Sequence, residues 1–173
     1  MRSAMMSLVL LAGSFSGSVL AIDSVGGEVT FFGRLVPQPC TVNPESLDMT
    51  VPLEPVNVKT LVANGGKGAD NAFSIGLSGC KTSVKDTVRV MFNGQVDPDM
   101  AGLLQTTGTA KGVALRLLNK DLSNLDINTQ SLPITLVDGS NALNFFVRVE
   151  TNDASKVVGG PYEASATFTL SYQ

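Results

Sequence analysis

The chain has 173 residues, enough for one domain, with 43% hydrophobic residues to build a core and only 16% charged ones. It contains no histidine and no tryptophan, so the commonest general base and the commonest nitrogen ligand for zinc are both missing. A formal charge of −3 without any basic cluster argues against a nucleic-acid partner.

The N-terminus reads as a secretory signal over residues 1–21. Arg2 supplies a positive start, and residues 5–12 form an apolar run, Met-Met-Ser-Leu-Val-Leu-Leu-Ala. Val19-Leu20-Ala21 then places small residues at −3 and −1 of a cleavage site after Ala21. The run is too short to stay in a bilayer as a helix, and Gly13, Ser14, Ser16, Gly17 and Ser18 weaken it as a core helix. No other segment is apolar enough to span, so an integral membrane protein is not expected.

After this signal, Val25, Gly27, Val29 and Phe31 fall on one face of a period-two pattern, with Ser24, Gly26, Glu28 and Thr30 on the other. This is an extended segment with one oily side, placed ahead of Cys40. Cys40 and Cys80 are the only cysteines, and an oxidising compartment joins such a pair. Their spacing is wrong for a Cys-x-x-Cys redox motif, and two cysteines cannot complete a structural zinc site. A loop of this length, closed by a bridge, stabilises a fold by about 4 kcal/mol in the chain-entropy model.

The body reads as short strands at 47–53, 73–77, 87–92, 112–118, 134–137 and 144–149, each with strand-like composition. Turn signals separate them: Asn64-Gly65-Gly66, Asn93-Gly94, Asp97-Pro98-Asp99 and Asp138-Gly139. Such spacing without long helical patterns predicts a β-sandwich. Residues 63–71, five of the nine being Gly or Asn, are the expected mobile loop. Asp97 and Asp99 are too few for a calcium site and read as a solvated turn. Phe145 and Phe146 point to opposite faces of a strand, so one packs in the core and the other covers an edge. Neither a metal nor another cofactor is expected.

In the last fourteen residues, Ala164, Ala166, Phe168, Leu170 and Tyr172 alternate with Ser165, Thr167, Thr169 and Ser171. This predicts a half-buried terminal strand whose backbone groups need a partner.

These ends resemble subunits of pili assembled by the chaperone–usher route, of the type 1-like pilin family. Tyr172 is the penultimate tyrosine and Gly160 the glycine fourteenth from the end in that family's C-terminal signature. Gly26-Gly27-Glu28-Val29-Thr30-Phe31-Phe32-Gly33 resembles its N-terminal donor motif, and a bridge from the first strand to the end of the third fits the same family. The resemblance implies an all-β fold: an incomplete immunoglobulin-like sandwich, completed by a donor strand from a chaperone or a neighbouring subunit. It implies a signal at 1–21, a donor extension at 22–36 and a pilin domain at 37–173. Val25, Val29 and Phe31 are then knobs for a neighbour's groove, and Gly27 sits where that groove admits no side chain. Phe168, Leu170 and Tyr172 line this subunit's own groove edge, with the Gln173 carboxylate held by basic chaperone residues. The implied protein is a structural subunit of a bacterial surface fimbria that contributes to adhesion and is not an enzyme. Its partners are a periplasmic chaperone, an outer-membrane usher and other fimbrial subunits, met on the way through the periplasm to the cell surface. A tip adhesin needs an added ligand-binding domain, for which the 18 residues between Ala21 and Cys40 leave no room. The alternative is a free-standing secreted sandwich that binds a small ligand or polysaccharide.

Overall fold

The computed structural model describes residues 28–35 and 38–173. The proposed signal at 1–21, Val25, Gly27 and the boundary between 36 and 37 lie outside the described residues. Contacts divide the chain into two units, Met1–Leu35 and Val36–Gln173. In the first, residues 28–35 form neither helix nor strand, and Val29, Phe31, Phe32 and Leu35 are exposed.

The second unit is built from antiparallel strands. They are β1 (Thr41–Val42), β2 (Asn71–Cys80), β3 (Thr87–Asn93), β4 (Leu104–Gln105), β5 (Thr107–Gly108) and β6 (Ala114–Leu118). Then follow β7 (Asn124–Leu125), β8 (Ile134–Thr135), β9 (Gly139–Glu150), β10 (Tyr162–Glu163) and β11 (Thr167–Tyr172). One sheet has the order β1-β2-β9-β6-β4, with β7 also on β6; a second has the order β11-β3-β8; β5 and β10 form a separate ribbon.

Period-two patterning explains which faces meet. Val88, Val90 and Phe92 of β3 and Leu143, Phe145, Val147 and Val149 of β9 are buried in one core cluster, together with Ile75 and Leu77 of β2. Half-buried Phe73 packs against this cluster and meets Phe92 and Phe145 with ring centroids 5.1–5.8 Å apart, within the range of favourable aromatic pairs. Phe145 is buried and Phe146 is not, as opposite faces of one strand require. β6 is buried along its whole length, and its Arg116 sits opposite Arg148 of β9. Carboxylates neutralise the two guanidiniums: Asp126 lies 2.5 Å from Arg116, while Glu150 and Asp70 lie 2.7 and 3.2 Å from Arg148.

Several expected elements are revised. Residues 47–53 join no ladder among the described residues, although Met49, Val51 and Leu53 are half-buried and Thr50 and Pro52 exposed. Pro52 lacks an N–H, which suits the margin of a sheet rather than its interior. With that segment unladdered, the disulfide joins Cys40, just before β1, to Cys80 at the end of the second strand, not the third. The segment expected to be mobile is pinned: Gly68 donates to Val149 O at 2.8 Å and Thr151 to Gly66 O at 2.8 Å. Gly66, at φ +80°, lies against Thr151 O where a β-carbon would collide. Just before it stands the one α-helix among the described residues, α1 (Val58–Ala63), capped by Asn57, whose side chain accepts from Lys59 N at 2.8 Å. Six residues are too few to display a helical period. The C-terminal stretch is divided, since β10 pairs with β5 and β11 starts only at Thr167.

Candidate functional site

β11 pairs with β3 from Thr167↔Asn93 to Tyr172↔Val88 and, among the described residues, has no neighbour on its other side. Its free edge borders a cleft of about 1030 Å³. Phe168, Leu170 and Tyr172 form one wall, and the unladdered Met49, Val51 and Leu53 form the other. The floor is the core itself, formed by half-buried Phe73 and buried Phe92, Leu115, Leu117 and Val147. Asp48 is the only charged side chain among the described lining residues. A cleft so apolar, bounded by unpaired main-chain groups, offers hydrophobic burial along one face and hydrogen bonds along an edge. An extended chain with one apolar face satisfies both demands; a compact polar ligand satisfies neither.

The C-terminal residues are placed as follows. Phe168, Leu170 and Tyr172 are brought together on the cleft wall, each half-buried. The Tyr172 hydroxyl has no solvent contact and finds no partner among the described residues, and burial pushes its phenol above the usual pKa. Gln173 extends the pairing by one bond, donating from its N–H to Thr87 O at 2.9 Å. Gly160 is not brought to the cleft. It precedes β10, where a β-carbon would strike Thr109 Oγ1 and lie 2.9 Å from the Ala110 nitrogen. The adjoining Pro161 carbonyl accepts from Thr109 N at 3.0 Å and Ala110 N at 3.2 Å, so this glycine permits a close main-chain crossing.

Val29 and Phe31 lie in the first unit, both largely exposed, and continue the alternation that begins outside the described residues. The opposite wall of the cleft, Met49, Val51 and Leu53, is missed as a site by sequence reasoning. Its signal was the run Met49-Thr-Val-Pro-Leu-Glu-Pro55, where two prolines interrupt an alternating strand pattern and mark a sheet margin. Among the described residues no cluster of three potential metal ligands occurs, and no helix is long and apolar enough to cross a membrane.

Comparison with known proteins is consistent along the chain. The family model described as "Fimbrial protein" matches residues 25–173. The Fimbria A protein of Serratia marcescens is 36% identical over 172 residues, covering 97% of each chain. The crystal structure of the P pilus rod subunit PapA superposes with a TM-score of 0.68 at 25% identity, covering 79% of this chain and all of that one. A subunit from a chaperone–usher pilus structure concerned with rod uncoiling also gives a TM-score of 0.68, at 26% identity, covering 90% of this chain and all of that one.

Proposed function

Because this chain belongs to the fimbrial protein family, we propose that its cleft is the acceptor for a strand donated by another subunit and that its own N-terminal segment is the donor to the next. The protein is a structural subunit of a cell-surface fimbria, built on the immunoglobulin-like fold of chaperone–usher pilins, and it associates with other fimbrial subunits. The observation that carries the proposal is the margin of β11, open among the described residues, beside an apolar cleft floored by the core. An isolated sandwich with such a margin invites aggregation, and a complementary strand removes the liability.

In this reading residues 1–21 are removed as a signal, residues 22–36 are the donor extension and residues 37–173 the pilin domain. Val25, Val29 and Phe31 enter a neighbour's cleft, and Gly27 lies where bulk is not admitted. Phe168, Leu170 and Tyr172 pair with a periplasmic chaperone before the donor replaces it, with the Gln173 carboxylate held by basic chaperone residues. An outer-membrane usher then passes the growing fibre to the surface. One donor and one acceptor per subunit give a head-to-tail contact that extends without closing. The role is mechanical, without catalysis. A free-standing sandwich that binds a small ligand has no use for an apolar cleft bordered by an open sheet edge.

The test uses the chain from residue 22 onward, refolded with an excess of a peptide of residues 22–34. Uptake of the peptide and a rise in urea midpoint are expected, and a Gly27→Leu peptide is expected to be taken up much more slowly because its added bulk must be overpacked. A chain that stays monomeric and equally stable with or without the peptide would overturn the strand-acceptor reading.

A further inference from the structure

β11 is not the only strand with a free edge. β8 lies on the other flank of β3 and, among the described residues, has no neighbour beyond it. A groove of about 550 Å³ runs beside it, with Leu132, Pro133, Ile134 and Phe145 in its lining. Leu132 and Val137, on either side of β8, are exposed. An apolar groove beside a free sheet edge is what makes the β11 cleft able to take a strand, so the β8 flank carries the same liability on a smaller scale.

The two edges differ in their main-chain groups. Leu136 N donates to Asp86 O at 2.8 Å and Ile134 stands opposite Val88, so residues 134 and 136 turn their main-chain groups to β3. Pro133, Thr135 and Val137 therefore turn theirs outward. Pro133 has no N–H. Both groups of Val137 are taken by one side chain: its N–H donates to Asn141 Oδ1 at 2.9 Å, and its carbonyl accepts from Asn141 Nδ2 at 2.7 Å. An asparagine amide offers the donor and acceptor of a peptide group, so Asn141 stands in for a partner strand. At the other end the Leu132 N–H donates to Asn119 Oδ1 at 3.1 Å. Thr135 N–H is left as the one outward donor without a partner among the described residues. On β11, Gln173 N donates to Thr87 O, and the same alternation turns Phe168, Leu170 and Tyr172 outward. None of their three N–H groups has a partner among the described residues.

We propose that Pro133 and Asn141, with Asn119 beside them, close the β8 edge to strand addition and so confine an incoming strand to β11. The inference rests on the reading that β11 accepts a strand, and it names what directs the strand there. A ladder needs donors at successive outward positions; β11 offers them and β8 does not. A strand or a second copy of this chain added at β8 would join subunits side by side, whereas addition at β11 alone keeps the contact head to tail.

The test fills the cleft first. Chains from residue 22 onward are refolded with an excess of fluorescein-labelled peptide of residues 22–34, and sedimentation reads both mass and bound peptide per chain. Wild type is expected to be a monomer carrying one peptide. A Pro133→Thr, Asn141→Ala chain regains one outward donor and frees another, and is expected to add a strand at β8, seen as a second bound peptide or as a dimer with the cleft still filled. Adding Thr135→Pro to that chain puts a proline back in the middle of the edge and is expected to restore the monomer with one peptide. A double variant that stays a monomer with one peptide would overturn the inference and leave the strand-acceptor reading standing. Association that persists with Thr135→Pro would overturn it as well, since general destabilisation and not edge pairing would be the cause. If wild type takes up no peptide, the strand-acceptor reading itself fails, and the inference with it. Should the double variant not fold, Asn141→Ala alone decides the matter, and a monomer with one peptide again counts against the closed edge.

Discussion

β3 and β11 are paired residue for residue in one sheet and carry the same alternation, yet they are buried to very different degrees. Val88, Val90 and Phe92 of β3 are 0–5% exposed, while Phe168, Leu170 and Tyr172 of β11 are all only half-buried. The difference is positional, not compositional. β3 has β11 on one side and β8 on the other, with the opposite sheet above it, whereas among the described residues β11 has a neighbour on one side only. An amphipathic strand is thus fully used inside the sandwich and half used at its margin. The unused half is where a second chain gains most.

The largest expected effect sets the two strands against each other at cross-strand partners, Phe92 and Phe168. Phe92→Ala removes a ring from the cleft floor that the fold already buries, and is expected to cost about 3–5 kcal/mol with or without peptide 22–34. Phe168→Ala is expected to cost about 1–2 kcal/mol alone, because part of its surface is already wet. With the peptide bound, its cost should approach that of Phe92. Urea midpoints of both variants, with and without peptide, decide the matter. Equal costs for Phe168→Ala in the two conditions would break the comparison.

Next comes the bridge. Replacing Cys40 and Cys80 with serine is expected to cost up to about 4 kcal/mol. Cys40 stands just before β1, and the chain leads from there to the far wall of the cleft at Met49–Leu53, which has no ladder to hold it. Loss of the bridge should therefore weaken peptide uptake as well as the fold. Denaturant unfolding and peptide titration on the same sample would separate the two effects.

The sequence made β3, β9 and β11 legible for one reason: each exposes opposite faces to unlike surroundings, and period-two alternation records that. The body's disulfide was equally plain, since only two cysteines exist. The far wall was harder. Met49, Val51 and Leu53 alternate like a strand, but alternation reports burial and not hydrogen bonding, so a segment bordering a cleft looks like one inside a sheet. Pro52 was the discriminating residue. Gly160 misled in the other direction. It belongs to the same C-terminal signature as Tyr172, yet the chain crosses to β5 between them, and sequence proximity says nothing of that crossing. The Tyr172 hydroxyl was invisible, because an unpartnered atom is defined only by everything around it.

A moderate effect is expected at that crossing. Gly160→Ala puts a β-carbon against Thr109 Oγ1 and the Ala110 nitrogen, a clash with backbone that does not yield easily. A cost of about 1–3 kcal/mol is expected in the urea midpoint. Peptide affinity should be unchanged, because β10 and β5 form a ribbon separate from the sheet of β11, and neither Gly160 nor β10 lines the cleft. A large loss of peptide binding would show that the ribbon shapes the open margin after all.

The smallest effect concerns the closed side and is best read through pH. Asp138, at the approach to β9, accepts from Thr82 N at 2.7 Å and from Thr82 Oγ1 at 2.8 Å, tying the β2–β3 connection to the start of β9. The Thr82 main-chain N–H first, and its hydroxyl second, hold the carboxyl below the usual aspartate range despite its exposure. A carboxyl whose pKa is lower in the folded chain adds stability above its unfolded pKa of about 3.9, and that stability is lost as pH falls through the folded value. The wild-type urea midpoint should therefore drop slightly more than that of Asp138→Asn between pH 5 and 3, and the two should differ by a constant above pH 5. The asparagine keeps an oxygen that accepts from Thr82, so the charge alone is tested. The clamp lies at the Thr82–Asp138 turn contact, so excess peptide 22–34 should leave this pH difference untouched. Parallel pH curves for the two chains would show that the charge on Asp138 adds nothing, and a difference that vanishes with peptide would move the clamp to the open side.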